Sequence, residues 1–316
     1  MDEFKVPIYL MTGFLESGKT SFLNFTLAQE YFQIDEPTLL ILCEEGEEEY
    51  DKKVLKKSRT SVEVIDSIEE LTTERLVAYD AFYNPGRVII EYNGMWQVSK
   101  LVELTFPSGW GIELNIVTVD ASTFQVYLNN MKSLFMEMVR NADLVLFNRA
   151  DTELPLANFR RSIKVVNPGA ELIFEDEEGE IEDIFDGEMP FDVKAETIEI
   201  PNEDYGIWYL DARDHADTYN GKKVSFTGMV LKSREFAKNE FVPGRMAMTC
   251  CADDTTFLGF VCKSDEARHL KTGKWVNVVA KVKYEFVPAY GETGPVLYAI
   301  SVEETEPLKD ELVYFS

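Results

Sequence analysis

The sequence predicts an α/β domain with a mostly parallel sheet, followed by a smaller all-β module. Two observations predict the first part. Apolar runs of strand length recur between residues 6 and 147, and segments with helical spacing separate them. A third observation predicts the second part. Beyond residue 192 the chain alternates apolar and polar residues in short segments split by Gly and Pro.

The elements follow in order. VPIYLMT at 6–12 reads as the first strand, and a glycine-rich turn leads into a helix over 20–31 that carries Phe22, Leu23, Phe25, Leu27 and Ala28 at helical spacing. TLLILC at 38–43 is the next strand. The charged stretch 44–57 reads as an exposed loop and helix, 62–65 as a short strand and 68–82 as a helix. RVIIE at 87–91 reads as a buried strand and 112–119 as another; a helix over 124–141 and a strand over 144–147 follow. Residues 175–192, EDEEGEIEDIFDGEMPFD, are strongly acidic and read as a solvated linker. The expected domains are therefore 1–174 and 193–316, joined by 175–192. In the second, 223–230, 275–284 and 296–302 read as strands of a barrel or sandwich, and Asn220-Gly221 fits a tight turn before them.

Composition narrows the function classes. A chain of 316 residues with 45% hydrophobic content can bury two cores. Its 57 acidic and 31 basic side chains give a formal net charge of -26. Such a surface repels nucleic-acid phosphates and anionic lipid, so neither is an expected partner. No apolar run reaches membrane-spanning length and residues 1–5 do not read as a signal peptide, so the expected location is the cytoplasm without membrane insertion. Four cysteines in so long a chain make no disulfide framework, although three fall late, at Cys250, Cys251 and Cys262.

The segment Gly13-Phe14-Leu15-Glu16-Ser17-Gly18-Lys19-Thr20 fits G-x-x-x-x-G-K-[ST] completely, between a strand and a helix. Gly13 and Gly18 allow backbone angles that turn N–H groups onto a phosphate. Lys19 brings a cation to the β- and γ-phosphates, Thr20 a hydroxyl to Mg²⁺, and the helix its positive end. This is the signature of a P-loop NTPase. Glu16, Ser17 and Ser21 complete the expected phosphate-binding set. Glu91 ends an apolar strand, where a carboxylate can hold the Mg²⁺ shell or orient the attacking water. Asn148-Arg149-Ala150-Asp151 follows the 144–147 strand as N-[KR]-x-D. The Asp151 carboxylate suits the N1–H and exocyclic amine of guanine, a donor pair adenine lacks, and Asn148 could meet the base edge or tie loops together. GTP is thus the expected nucleotide.

With these residues the first 170 or so positions resemble the CobW-type metallochaperone GTPases. The matching stretches are GFLESGKTS at 13–21, CEEGEEEYD at 43–51, IIEYNG at 89–94, VTVDAS at 117–122 and NRAD at 148–151. The resemblance implies GTP hydrolysis with Mg²⁺ held by Thr20 and Glu91, tied to delivery of zinc, cobalt or another transition metal. It places Glu44 and Asp51 in the switch that responds to the γ-phosphate, so that Lys19, Glu91 and Glu44 form the expected catalytic set. The chain departs from the family in four ways. The family's G-C-x-C-C motif is replaced by the cysteine-free VEVIDSIEELTTERL, Cys43 stands where the family has Asn, Arg149 where it has Lys, and its usual C-terminal domain is not recognised. No catalytic Gln or arginine finger is evident, so slow turnover is expected until a homodimer or a partner completes the site.

Residues 194–315 resemble the C-terminal domain of YcgQ-like proteins, subunits paired with permeases. The matching stretches are GKKVSFTGMV at 221–230, FAKNEFVPGRMAMTCCADDTTFLGFVC at 236–262 and EETEPLKDELVYF at 303–315. This implies an OB-like barrel. A permease or a metalloprotein is the kind of client that the two resemblances imply. Cys250 and Cys251, next to Asp253 and Asp254, could with His215, Cys262 and His269 form a Zn²⁺ or other soft-metal site. Adjacent strand residues point to opposite faces, so the alternative is one cysteine in the core and one outside. Three rivals to a GTPase therefore stand: a nucleotide-gated binding module with little hydrolysis, a metal chaperone using the late cysteines, and an ATPase.

Overall fold

The computed structural model describes residues 5–181, 189–234, 236–248, 254–288 and 290–313. The chain divides into two compact units, Met1–Ile184 and Phe185–Ser316.

The first unit alternates strands and helices. Its elements are β1 (Val6–Thr12), α1 (Lys19–Ala28), β2 (Thr38–Leu42), α2 (Lys52–Lys57), β3 (Thr60–Val64), α3 (Thr73–Tyr83) and β4 (Arg87–Glu91). They continue with α4 (Val98–Val102), β5 (Trp110–Asp120), α5 (Phe124–Arg140), β6 (Leu144–Asn148), α6 (Leu156–Val166) and β7 (Glu171–Phe174). The strands form one sheet in the order β3-β2-β4-β1-β5-β6-β7, and every pairing is parallel. β4 is buried along its whole length, as the apolar run Val88-Ile89-Ile90 at its centre requires of a strand covered on both faces.

Helices cover the sheet with their apolar stripes. Leu23 and Leu27 of α1 pack on Met11, Leu40, Ile89 and Ile116. Phe124 and Phe135 of α5, Phe147 of β6, Phe159 of α6 and Phe174 of β7 build an aromatic cluster, with Phe124–Phe159 and Phe147–Phe174 centroids each 4.5 Å apart. Burying each ring contributes about 2–3 kcal/mol. The sequence reading did not place α6 or β7. The helix read over 68–82 is a 3-10 turn, Ile68–Glu70, followed by α3, whose start is fixed by the Thr72 hydroxyl accepting the Arg75 N–H at 3.2 Å.

A parallel sheet brings the C-terminal ends of its strands to one edge, where α/β proteins bind ligands. The register puts Met11 beside Glu91, Leu42 beside Glu91 and Asp120 beside Asn148. β1 lies between β4 and β5, so the loop that leaves it after Thr12 emerges where the strand order changes direction.

The second unit holds β8 (Thr197–Glu199), α7 (Tyr205–Asp214), α8 (Ala216–Tyr219), β9 (Lys223–Leu231), β10 (Glu240–Met248), β11 (Thr255–Gly259) and β12 (Cys262–Lys263). β13 (Trp275–Val287), β14 (Glu292–Thr305) and β15 (Leu312–Val313) follow. Pairings run from β9 to β13, β14, β12 and β10, and β10 pairs again with β9. This closed circuit of five strands is what a sheet wrapped onto its own first strand requires. β9 alternates buried and half-buried residues without a break, as its sequence predicts. The unit is mostly strand but contains α7, which sets Tyr205 and Trp208 into the core against Phe226. Arg245, Phe241 and Trp275 belong to the interior of this unit. All three are buried, and Arg245 donates to the Asp310 carbonyl oxygen at 2.7 Å, so they hold the fold.

The ends of the acidic stretch belong to the units themselves. The Glu175 N–H donates to the Phe147 carbonyl oxygen at 2.7 Å, and Phe191 lies in the second core. Among the described residues no helix is long and apolar enough to cross a membrane.

Candidate functional site

The loop between β1 and α1 has the shape that its glycines permit. Gly13 has φ 136° and Gly18 φ 92°, in the region that favours glycine. Space is as restrictive as angle. A Cβ on Gly13 would lie 2.4 Å from the Thr118 carbonyl oxygen, and one on Gly18 would lie 2.4 Å from Asn148 Nδ2. Glu16 also has a positive φ, 60°, an uncommon value for a side-chain-bearing residue. The Ser17 N–H closes the loop onto the Phe14 carbonyl oxygen at 3.1 Å, and the Ser17 hydroxyl meets the Thr118 hydroxyl at 2.8 Å. The segment is a tight, pre-shaped cradle at the N-terminus of α1, the arrangement that binds phosphate.

Four expected residues, Lys19, Thr20, Glu44 and Glu91, converge on this cradle. Lys19 is 4% exposed, and its Nζ donates to the carbonyl oxygens of Gly13 and Phe14 at 2.9 and 3.0 Å and to Glu44 Oε2 at 2.7 Å. The Thr20 hydroxyl donates to Glu91 Oε1 at 2.9 Å. The second Glu91 oxygen accepts the Tyr50 hydroxyl. Burial pushes the Glu91 carboxyl upward from its ordinary value, while hydrogen bonds from Tyr50 and Thr20 and the Lys19 charge pull the other way. Burial also raises the Tyr50 phenol, with Glu91 adding to the rise, so that it stays a donor. The Ser21 hydroxyl is taken by Glu48, and Glu16 Oε1 accepts the Glu47 N–H at 3.2 Å. Glu44 is thus brought to the site as the ion-pair partner of Lys19. Asp51 caps α2 by accepting the Lys53 N–H at 2.7 Å.

On the other side, Asn148 Nδ2 donates to the Ser17 carbonyl oxygen at 2.6 Å. Of the two roles open to Asn148, this contact is the tie between loops. Its Oδ1 is buried and makes no hydrogen bond. Arg149 has φ 49° and donates to the Glu16 carbonyl oxygen at 3.1 Å and to Asp120 Oδ2 at 2.6 Å, so its side chain lies along the cradle. Burial alone would raise the Asp120 carboxyl, but hydrogen bonds from Ser122 and Arg149 outweigh it and hold the group below its ordinary value. Asp151 is exposed on the next loop, where its Oδ1 accepts the Glu153 N–H at 2.9 Å.

The sequence reading missed Tyr50, Glu48 and Asp120. A lone aromatic within an acidic run was the available signal for Tyr50. Asp120 ends β5 in register with Asn148, and that pairing could have been inferred from two adjacent parallel strands.

The residues present fit a hard cation beside a phosphate. Thr20 and Glu91 offer oxygen donors of the type Mg²⁺ takes, already held together at the mouth of the cradle. Cys250 and Cys251 lie outside the described residues. Cys262 is fully buried in β12, and burial pushes its thiol up to about 12, so it remains protonated. His215 Nδ1 is engaged by Asp211 Oδ1 at 2.6 Å, and His269 is exposed. Among the described residues no group of three or more His, Cys, Asp or Glu side chains is placed to hold a metal ion.

Residues 7–174 match the family model described as CobW/HypB/UreG, nucleotide-binding domain. Residues 181–315 match the model described as DUF1980 C-terminal domain. Among solved structures, the chain is similar to the hydrogenase maturation factor HypB from Archaeoglobus fulgidus, at 19% identity over 54% of this chain and 82% of that one, with a TM-score of 0.38. It is similar to Zn(II)-bound YjiA GTPase from E. coli at 20% identity, over 56% of this chain and 59% of that one, with a TM-score of 0.42. HypB from Helicobacter pylori in complex with nickel is similar at 14% identity, over 54% and 79% of the two chains, with a TM-score of 0.35. No curated protein matches the chain.

Proposed function

Because the chain belongs to the CobW/HypB/UreG nucleotide-binding family, we propose that it binds GTP with Mg²⁺ and hydrolyses it. The observation that carries this reading is the convergence of Lys19, Thr20 and Glu91 on one glycine-shaped cradle. Lys19 would neutralise charge on the transferring phosphoryl group. Thr20 and Glu91 would hold Mg²⁺, which supplies charge neutralisation at the phosphates. The phosphate-binding set is Gly13, Glu16, Ser17, Gly18, Lys19, Thr20 and Ser21. Asn148 braces the cradle through Ser17, Arg149 lies alongside the base, and Asp151 reads the guanine edge. Water adds to the γ-phosphorus and the bond to the β-phosphate oxygen breaks, leaving GDP and phosphate.

We assign this activity to metal homeostasis or delivery in the cytoplasm, with a homodimer or client protein completing a slow site; membership of the family supports the metal role. The second reading, nucleotide binding with little hydrolysis, draws support from Lys19 being engaged by Glu44.

Phosphate release and nucleotide binding, measured on the wild type and Lys19→Ala, test the proposal. The variant should release phosphate at least about a hundredfold more slowly, the scale of losing one transition-state charge partner. Wild-type protein that neither binds GTP nor releases phosphate with Mg²⁺ refutes the reading. Tight GTP binding without release favours the second one.

A further inference from the structure

Residues 44–51 fold over the cradle and take up its polar atoms. Glu44 Oε2 accepts from Lys19 Nζ at 2.7 Å. The Glu48 carboxylate accepts the Ser21 hydroxyl, and the Tyr50 hydroxyl donates to the same Glu91 carboxylate that holds Thr20. Asn24 of α1 clasps the segment from beneath, donating to the Glu49 carbonyl oxygen and accepting the Asp51 N–H, each at 3.1 Å.

Donor arithmetic at Lys19 makes this cover a competitor. An ammonium has three N–H groups. Lys19 Nζ has three acceptors: the Gly13 and Phe14 carbonyl oxygens, which belong to the loop itself, and Glu44. A phosphate oxygen needs one of those donors, and Glu44 is the acceptor that can leave without unmaking the cradle. The carboxylate and the phosphate are both anions seeking one partly desolvated cation. The segment also carries Glu45, Glu47 and Glu49, which a triphosphate repels.

We propose that the Glu44 carboxylate stands in for a nucleotide phosphate on Lys19, so that residues 44–50 must lift before a triphosphate can seat. This rests on the nucleotide-binding reading above. It makes the nucleotide-free chain the closed state. Seating a triphosphate then exchanges one anion for another on Lys19, at a cost that is the same whatever base the nucleotide carries.

Isothermal titration of the full chain with GTP, ATP and inorganic triphosphate, each with Mg²⁺, tests it. Glu44→Gln keeps the shape and removes the charge. Its affinity for all three should rise about tenfold, the scale of trading a charge-assisted hydrogen bond for a neutral one. The ratio of GTP to ATP affinity should stay at the wild-type value. Glu48→Gln loosens the second anchor without touching Lys19 and should raise affinity about threefold. Glu45→Gln removes an equal charge from an exposed neighbour and should change affinity less than about twofold. Equal gains from Glu45→Gln and Glu44→Gln would reduce the effect to general repulsion and overturn the proposal. Unchanged or weaker binding by Glu44→Gln, with wild-type binding intact, overturns it while leaving the nucleotide reading in place. No binding of any of the three by wild type or variants removes both.

Discussion

Replacing Gly18 with alanine tests whether the cradle and the end of β6 are one mechanical unit. Two costs add. The residue sits at φ 92°, where a side chain is strained by about 1–2 kcal/mol. The new Cβ would also lie 2.4 Å from Asn148 Nδ2, far inside contact distance. Asn148 cannot move aside without giving up its 2.6 Å bond to the Ser17 carbonyl oxygen, worth about 1 kcal/mol net. Gly18→Ala should therefore cost about 2–3 kcal/mol. Asn148→Ala alone should cost about 1 kcal/mol, because it loses the same bond while removing an amide oxygen that is buried without a partner. In the double variant the bond is lost once and the clash is gone, so the total should fall about 1–2 kcal/mol short of the sum. Urea unfolding followed by circular dichroism gives the three values. The first unit's transition is fitted separately, because two compact units need not unfold together. Additivity within about 0.5 kcal/mol would refute the claim that Asn148 braces the loop.

Other outcomes follow from the same geometry. Asp120 holds its proton less tightly when folded than when unfolded, so its contribution is present above the ordinary aspartate range and is lost as pH falls through its lower folded value. Asp120→Asn should thus destabilise the first unit by up to about 1 kcal/mol at neutral pH, and the deficit should fade as the pH falls through the lowered folded value, read from thermal melts across pH. A variant deficit that persists in acid would contradict the assignment. Cys43 and Cys262 are both buried, with thiols pushed up to about 12, so neither should react with a maleimide at pH 7.5 until denaturant is added. Mass mapping of labelled peptides would show it, and rapid labelling of either one in folded protein would refute its burial.

The parts of the site that are local were legible in the sequence. The cradle is eight consecutive residues, and its glycines fall where φ 136° and φ 92° demand them. β1, β4 and β6 were readable because unbroken apolar runs leave a chain few alternatives to a doubly covered strand. α6 and β7 were not. LANFRRSIKVV mixes basic and apolar residues, and ELIF is four residues long, so neither stands out until the aromatic cluster claims Phe159 and Phe174. α7 was hidden in the same way, since IWYL reads equally well as strand.

By itself the sequence determined that a phosphate-shaped turn opens an α/β unit and that a second, strand-rich unit follows it. Glu44, Glu91 and Asn148 were expected near that turn, and tertiary structure decided which atom each of them meets. Glu44 is 25 residues from Lys19, Glu91 is 71 from Thr20, and Asn148 is 131 from Ser17. The register of neighbouring parallel strands collects the last two at one sheet edge, and the fold of residues 44–51 over that edge supplies the first. The physical reason is a difference in range. Backbone angles are set by the residue in place, while ion pairs and buried hydrogen bonds depend on distances that only the packed sheet fixes.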